Sequence, residues 1–173
     1  MAKIKQVLKA KLFIGILYKE KEIYNKVLKE LTDKCGSLEE DSIEYNFDQF
    51  TNYYEKELGE KLLKKIIVFK NLIDREDLAD IKVFTNSLED KYSINNKRTI
   101  NLDPGYLTKE QLVLASVKDS PYKVYIGKGI FAHLTYYFGK NKCIEALRTF
   151  PDFRNKKVQE FFVKVKNKLS TTF

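Results

Sequence analysis

The segment RTINLDPGYLTKEQLVLASVKD (98–119) concentrates side chains that could bind a charged ligand. Asn101 and Asp103 lie two residues apart, so they project to the same face of a strand. Lys118 and Asp119 end the next apolar run with one charge of each sign. A carboxylate here could act as a base or bind a hard cation, and a lysine could hold an anion. The segment therefore predicts a polar site.

Two later segments add polar residues to this candidate pocket. If the strand of 130–138 lies near those of 98–103 and 112–118, their polar side chains would share one pocket, and the start of the last helix would favour an anion there. Asp103 and Asp119 are also the candidate metal ligands. The alternative, which the sequence leaves open, is that these groups only fasten turns together. The candidate ligand-binding residues are Asn101, Asp103, Tyr106, Lys118, Asp119, His133, Thr149, Asp152 and Arg154.

The standard nucleotide-binding motifs are missing from the sequence. A P-loop requires GxxxxGK[ST] at the start of a helix, but the GKG of 127–129 lies between two strand-like runs and predicts a hairpin turn. The segment GKGIFA also lacks the third glycine and the helix of a dinucleotide-binding motif. Guanine recognition by NKxD is absent, because 96–99 reads NKRT and 141–144 reads NKCI.

Histidine and cysteine chemistry is limited by number. HLTY (133–136) resembles half of a two-histidine phosphoesterase site. That chemistry requires a second catalytic histidine, and His133 is the only histidine in the chain. A lone strand histidine is more often structural than catalytic. Cys35 and Cys143 have no Cys or His neighbour at metal-ligand spacing, so we read both as ordinary thiols.

The first half of the chain predicts alternating strands and helices. KLFIGILY (11–18) has strand length, and the apolar positions from Ile23 to Leu31 form one helix face that ends at Gly36. Residues 41–50 predict a strand or extended segment, and 61–73 contain a second β-branched run. Asp74 offers an N-cap to the next helix.

The second half predicts an antiparallel meander. RTINL leads as a strand into an Asp103-Pro104-Gly105-Tyr106 turn, in which Gly105 would supply a positive φ. Four strand-like runs follow, separated by turns at 119–121, 127–129 and 139–141. Pro151 opens a last helix with one apolar face. The fold class is therefore α+β: β-α-β-β-α-β and a meander in a mixed, largely antiparallel sheet, with about three helices mainly on one face.

Composition favours one cytoplasmic domain spanning residues 1–173. The chain has 173 residues, 43% hydrophobic, and no run approaches the roughly 18 apolar residues of a membrane span. We therefore expect no membrane partner. Its 32 basic and 24 acidic residues give a net charge of +8, concentrated at the two ends. Such ends could attract RNA, although lysine-rich faces are more often simply solvated.

Seven segments of the chain resemble, in order and spacing, an uncharacterised prokaryotic family known as domain of unknown function 4416. The resemblance covers nearly the whole chain, and the blocks NLDPGYLT and LASVKD are its most specific parts. The segments are KLFIGILY (11–18), YYEKELG (53–59), KVFTNSLEDKY (82–92), INLDPGYLT (100–108), LVLASVKD (112–119), IGKGIFAHLTYYF (126–138) and TFPDFR (149–154).

The resemblance implies little about activity. Family members often carry the label "GTP-binding protein", which conflicts with the missing P-loop and NKxD motifs. The family pattern has an acidic residue where this chain has His133, and Tyr-Pro-Asp-Tyr where this chain has Phe-Pro-Asp-Phe at 150–153. The change at His133 weakens any hypothesis that this strand supplies an essential carboxylate.

Three functions remain as hypotheses. The first is a binding protein or enzyme for an anionic ligand, phosphorylated or nucleotide-like, with Lys118 and Arg154 as counter-charges and Asp103 or Asp119 as base or metal ligand. The second is an RNA- or ribosome-associated module with Tyr53, Tyr54 and Tyr122 as stacking groups. The third is a protein-interaction scaffold. The first hypothesis is favoured because the polar residues cluster around 98–119. The sequence does not determine the reaction, any cofactor or the oligomeric state.

Overall fold

A computed structural model describes residues 3–170, with the side chain of Ser170 left out, and it shows one continuous sheet of nine strands with four helices. The helices are α1 (Lys21–Cys35), α2 (Glu55–Leu58), α3 (Leu78–Lys91) and α4 (Lys156–Ser170). The strands are β1 (Ala10–Tyr18), β2 (Leu38–Asp41), β3 (Tyr45–Asn46), β4 (Leu63–Ile73), β5 (Ile100–Leu107), β6 (Gln111–Ser116), β7 (Lys123–Gly127), β8 (Ile130–Phe138) and β9 (Cys143–Glu145).

The sheet has the order β2-β4-β1-β5-β6-β8-β7, with β3 added to β4 and β9 added to β8. Every pair of neighbouring strands is antiparallel. The predicted α+β class with a largely antiparallel sheet is confirmed. The final strands differ from a simple meander in one respect, because β8 lies between β6 and β7.

The helices cover both faces of the sheet. On β1, Leu12 and Ile14 face α1 and α3, whereas Phe13 faces α4 across the sheet. This follows from the alternation of side chains along a strand. Two of the three longer helices thus share one face. Within the described residues, no helix is long and apolar enough to cross a membrane.

The predicted signals at the end of α1 and before α3 are confirmed, whereas Pro151 opens a 3-10 turn at Asp152–Arg154 and α4 begins only at Lys156. Gly36 ends α1 at a φ of 97°, where its N–H donates to the carbonyl oxygen of Thr32. Asp74 and Asp77 form a reciprocal capping box at the 3-10 turn before α3. The predicted GKG hairpin is confirmed, with positive φ at Gly127, Lys128 and Gly129.

The predicted Asp103-Pro104-Gly105-Tyr106 turn is wrong. All four residues lie inside β5, and each pairs with a residue of β1. Gly105 does not adopt a positive φ. Its role is close packing, because an added Cβ would lie 2.5 Å from the Phe13 ring and from the carbonyl oxygen of Val113. Tertiary packing therefore overrides the local turn preference.

Candidate functional site

A cavity lies where β5 and β6 separate. The two strands pair only from Gly105 to Leu107, so the first half of β5 has no β6 partner. The side chains of α3 satisfy the backbone there: Glu89 Oε1 accepts the Leu102 N–H at 2.6 Å, and Lys82 Nζ donates to the Leu102 carbonyl at 2.7 Å. The sheet thus opens at this point without leaving the Leu102 amide and carbonyl unpaired.

The cavity has a volume of about 490 Å³. One wall is the aromatic segment that precedes β4, and the opposite wall is the Phe-Pro-Asp-Phe segment at 150–153 that precedes α4. Five basic and three acidic side chains line it: Lys64, Lys82, Arg98, Lys118, Lys123, Glu89, Asp103 and Asp152.

Lys64 forms the charged centre of the inner wall. It lies on β4, and its side chain crosses β1 at Gly15, where an added Cβ would lie 3.2 Å from Lys64 Cε. Its Nζ donates to Asp152 Oδ2 at 2.7 Å and lies 3.8 Å from Asp103 Oδ2 on β5. Gly15 therefore makes room for a lysine that connects three elements.

Arg98 extends this network towards α2 and α3. Its Nε and Nη2 donate to the Glu57 carboxylate at 2.6 and 2.7 Å, and its Nη1 donates to Glu89 at 2.9 Å. The same Nη1 donates to Asn101 Oδ1 at 2.7 Å, and Asn101 Nδ2 donates to Asp103 Oδ2 at 2.9 Å. The inner wall is thus a continuous network of charged side chains and the Asn101 amide, which extends from α2 to the segment before α4.

The paired charges alter each other's pKa. Burial alone would lower the pKa of Lys64, but Asp152 and Asp103 raise it above its ordinary value, so the ammonium stays charged. Burial raises the pKa of Glu89, against the opposite effects of Lys82, the Leu102 N–H and Arg98. The partners of Lys64 thus outweigh its desolvation, whereas the partners of Glu89 only reduce the effect of burial on its pKa.

The rim of the cavity contains two lysines of a different kind. Among the described residues, neither Lys118 nor Lys123 forms an ion pair with a carboxylate. Lys123 Nζ donates to Ser116 Oγ at 2.7 Å and to the Lys118 carbonyl at 3.1 Å. Burial, followed by Lys118, lowers the pKa of Lys123, with Asp119 acting in the opposite direction. Two ammonium groups therefore repel each other at this edge.

Aromatic rings complete the cavity beside these lysines. Lys118 Nζ contacts the Tyr53 hydroxyl and lies 4.4 Å from the centre of its ring. The rings of Tyr53 and Tyr54 meet edge to face at 4.9 Å. Burial, followed by Asp103, raises the pKa of Tyr54, so its hydroxyl stays protonated. The rim offers positive charge next to flat apolar surface.

Four of the nine predicted ligand-binding residues line this cavity. Asn101 and Asp103 face it from β5 and Lys118 from beyond the end of β6, while Asp152 enters before α4. Asp103 Oδ1 makes no hydrogen bond within residues 3–170, and the side chain is 28% exposed. Asp103 therefore keeps one acceptor available to a ligand.

Tyr106 and Asp119 are not part of the cavity. Because β5 continues through the expected turn, Tyr106 faces the opposite side from Asp103 and packs near Leu78 of α3. Asp119 is exposed in the loop after β6. Of the two candidate metal ligands only Asp103 lines the cavity, and no three His, Cys, Asp or Glu side chains converge among the described residues.

His133, Thr149 and Arg154 lie behind or outside the cavity wall. Thr149 Oγ1 is 2.8 Å from the carbonyl oxygens of Thr135 and Ala146, so it fastens the irregular part of β8. Arg154 Nε donates to the Thr149 carbonyl at 3.2 Å and lies 3.7 Å from Glu145. The side chains of Thr149 and Arg154 thus contact protein groups next to the cavity and do not line it.

The cavity also contains charged residues that the sequence interpretation missed. Lys82 and Glu89 are buried on the same face of α3 as Leu78 and Thr85, and Lys64 is buried within β4. Charges at core positions of a helix or strand are rare and need partners. A charged residue at a position where the i, i+4 or i+7 spacing of a helix predicts an apolar one was the signal in the sequence that could have identified Lys82 and Glu89.

The comparisons with known proteins gave one match. A family model described as a domain of unknown function, DUF4416, matches residues 8–169. Neither the curated proteins nor the solved structures contain a significant match to the chain.

Proposed function

The chain belongs to the DUF4416 family, and we propose that it binds an anionic small molecule, phosphorylated or nucleotide-like, in the cavity between β5 and β6. The cavity volume of about 490 Å³ lies within the range of small-molecule sites.

The distribution of ion pairs supports this proposal. Lys64, Lys82 and Arg98 each have a carboxylate partner within 4 Å, whereas Lys118 and Lys123 have none among the described residues. Two like charges that repel each other beside a cavity lower the free energy of any anion placed between them. An anion would also offset the burial that lowers the pKa of Lys123.

The rest of the lining supports a ligand with a second, flat part. Tyr53 and Tyr54 provide aromatic surface next to Lys118, and Phe150 lies on the other wall. The free oxygen of Asp103 can accept a hydrogen bond from a hydroxyl or amino group. An anionic group on the lysines, a ring on the tyrosines and a donor on Asp103 together fit a nucleotide-like molecule.

The test is a thermal-shift screen of pyrophosphate, nucleotides and phosphorylated sugars, followed by calorimetry on any compound that stabilises the protein. Lys118→Ala and Lys123→Ala should each weaken binding about tenfold, as expected when a charge-assisted hydrogen bond of about 1.4 kcal/mol is lost. Lys29→Ala, on the exposed side of α1, is the matched control because it removes the same charge elsewhere. Equal affinity in all three variants would refute the proposal.

RNA binding receives less support. On α4, Lys156 lies 3.8 Å from Glu160, Lys164 lies 2.7 Å from Glu40, and Lys168 also contacts Glu40. These pairs reduce the positive field that the sequence suggests. RNA that copurifies at low salt, without stabilisation by any small anion, would favour this alternative over the cavity.

A further inference from the structure

His133 has an unusual environment for a histidine. His133 is only 3% exposed, and neither ring nitrogen has a hydrogen-bond partner among the described residues. They are the only buried side-chain polar atoms in residues 3–170 without one. An unpaired buried group of this kind costs about 1–3 kcal/mol, so it requires an explanation.

The position of His133 connects it to the cavity. Across the sheet it pairs with Leu114 of β6 on one side and with Lys123 of β7 on the other. Directly paired residues share a face, and both neighbours line the cavity. The imidazole itself does not, because the Phe150 ring lies over it, with the ring centres 5.0 Å apart.

Phe150 can leave this position at low cost. Phe150 is 38% exposed, so turning the ring outward exposes only the remaining part of its apolar surface to water. The backbone on either side is held, since the Thr149 side chain contacts β8 and the Pro151 carbonyl accepts the Arg154 N–H at 3.2 Å. With the backbone held, the movement that would uncover the imidazole is a change of the Phe150 side-chain rotamer.

We infer that His133 is an inner oxyanion subsite that Phe150 covers, in which a phosphate-type oxygen accepts the imidazole N–H while its charge is balanced by Lys123. This subsite rests on the proposed function, since it extends the same cavity. The occupant is an oxyanion because a neutral amide or hydroxyl would satisfy the imidazole but leave the Lys123 charge uncompensated.

The chemistry of the imidazole agrees with this assignment. Burial, followed by Lys123, lowers the pKa of His133, so the ring is neutral at pH 7 and carries one N–H donor and one acceptor nitrogen. Leu114 and Phe150, which also lie next to the imidazole, are uncharged. The donor becomes useful only when an acceptor replaces the Phe150 ring.

The chain offers a direct reporter, because His133 is its only histidine. In protein labelled with ¹⁵N-histidine, the two ring nitrogens give one pair of signals. Titration with pyrophosphate should shift the signal of the N–H nitrogen and saturate at the concentration that saturates the thermal shift. Lys123→Ala should abolish this response, and Lys29→Ala should retain it.

The Phe150 cover can be tested without any anion. Carbethoxylation of the imidazole by diethylpyrocarbonate should be roughly tenfold faster in Phe150→Ala than in the natural chain, as expected if the cover is open about 10% of the time. Phe150→Leu, which keeps an apolar cover, should react at an intermediate rate. Unchanged chemical shifts elsewhere would show that both variants are folded.

The outcomes separate this inference from the proposed function. If pyrophosphate stabilises the protein but leaves the imidazole signals unchanged, the inner subsite is wrong and the cavity proposal stands. An unchanged carbethoxylation rate in Phe150→Ala also overturns the subsite. If no phosphorylated compound in the screen stabilises the protein, the proposed function fails, and the subsite fails with it.

Discussion

The inner wall and the rim of the cavity contain the same types of residues in opposite states. On the inner wall, Lys64 and Arg98 each contact carboxylates, and Lys64 contacts one at 2.7 Å. On the rim, Lys118 and Lys123 contact hydroxyl and carbonyl oxygens but no carboxylate within the described residues. The difference separates charges that hold the fold together from charges that remain available.

This comparison shows why charge alone is a poor guide to a binding site. A buried lysine with its partner, such as Lys64 with Asp152, contributes specificity to the packing of β4 against the segment before α4, and its charge is already balanced. A lysine at an edge has lower desolvation cost and an unbalanced charge. Ligand affinity is therefore expected from the rim, and structural damage from changes to the wall.

The largest expected effect is at the inner wall. Asp152→Ala would leave Lys64 buried without its nearest carboxylate, and it would remove the acceptor of the Tyr45 hydroxyl. The free energy of unfolding should fall by about 3–5 kcal/mol, which urea denaturation would measure. Asp119→Ala is the control, since this exposed carboxylate should change stability by less than about 0.5 kcal/mol. Similar losses in the two variants would contradict the comparison.

The second effect concerns the strand that carries Asn101 and Asp103. Gly105→Ala would place a Cβ 2.5 Å from the Val113 carbonyl oxygen, so β5 and β6 would have to separate. We expect a loss of about 1–3 kcal/mol in thermal or urea unfolding. At Gly139 an added Cβ would lie 3.1 Å from the flexible Lys142 side chain and 3.6 Å from the Lys142 carbonyl oxygen, which is an ordinary contact, so Gly139→Ala should cost less. The reverse order would show that β5 tolerates the added methyl group.

The third effect is a pH dependence of the free energy of unfolding, caused by His133 behind the rim of the cavity. The pKa of His133 is lowered from 6.5 in the folded state, so the unfolded chain binds a proton first as the pH falls. The stabilisation of the fold by neutral His133 is complete above about pH 6.5 and is lost below it, by at most about 1.4 kcal/mol per pH unit. Between pH 7 and 5, the free energy of unfolding of His133→Leu should not show this loss, which urea denaturation at each pH would measure. Parallel curves for both proteins would exclude the lowered pKa.

The smallest effect on stability is expected at the rim. Without an anion, Lys118→Ala removes a charge that repels Lys123 and that has no carboxylate partner within residues 3–170, so the free energy of unfolding should change by less than about 0.5 kcal/mol. Differential scanning calorimetry in a buffer without phosphate would measure it. A loss above about 1 kcal/mol would place Lys118 with the structural charges of the inner wall.

Much of the fold could be predicted from short-range patterns. The apolar run of β1, the helix face that ends at Gly36 and the Asp74 cap depend on residues close in sequence, and each was predicted correctly. The turn at 103–106 was not, because Asp-Pro-Gly favours a turn locally while β1 pairs with all of β5. Pro104 is tolerated there since β6 pairs with β5 only from Gly105 onward.

Part of the candidate site could also be predicted. The two-residue spacing of Asn101 and Asp103 fixed their common face, and Lys118 followed from the end of an apolar run. Arg98 could not be placed in this way, because it lies before β5, where side-chain alternation along the strand does not apply. Lys123 was missed because no sequence pattern shows that a lysine has no carboxylate partner among the residues that the structure describes.

The sequence by itself determined the α+β class, the position of β1, the end of α1 and the absence of a P-loop, because these depend on residue type and local spacing. The tertiary structure alone decided that β5 and β6 separate, that Gly15 lets Lys64 reach Asp103 and Asp152, and that Phe150 covers His133. Those features depend on which distant residues share a face and an edge. Side-chain alternation is local, but strand order and the pairing of charges are set only when the whole sheet is packed.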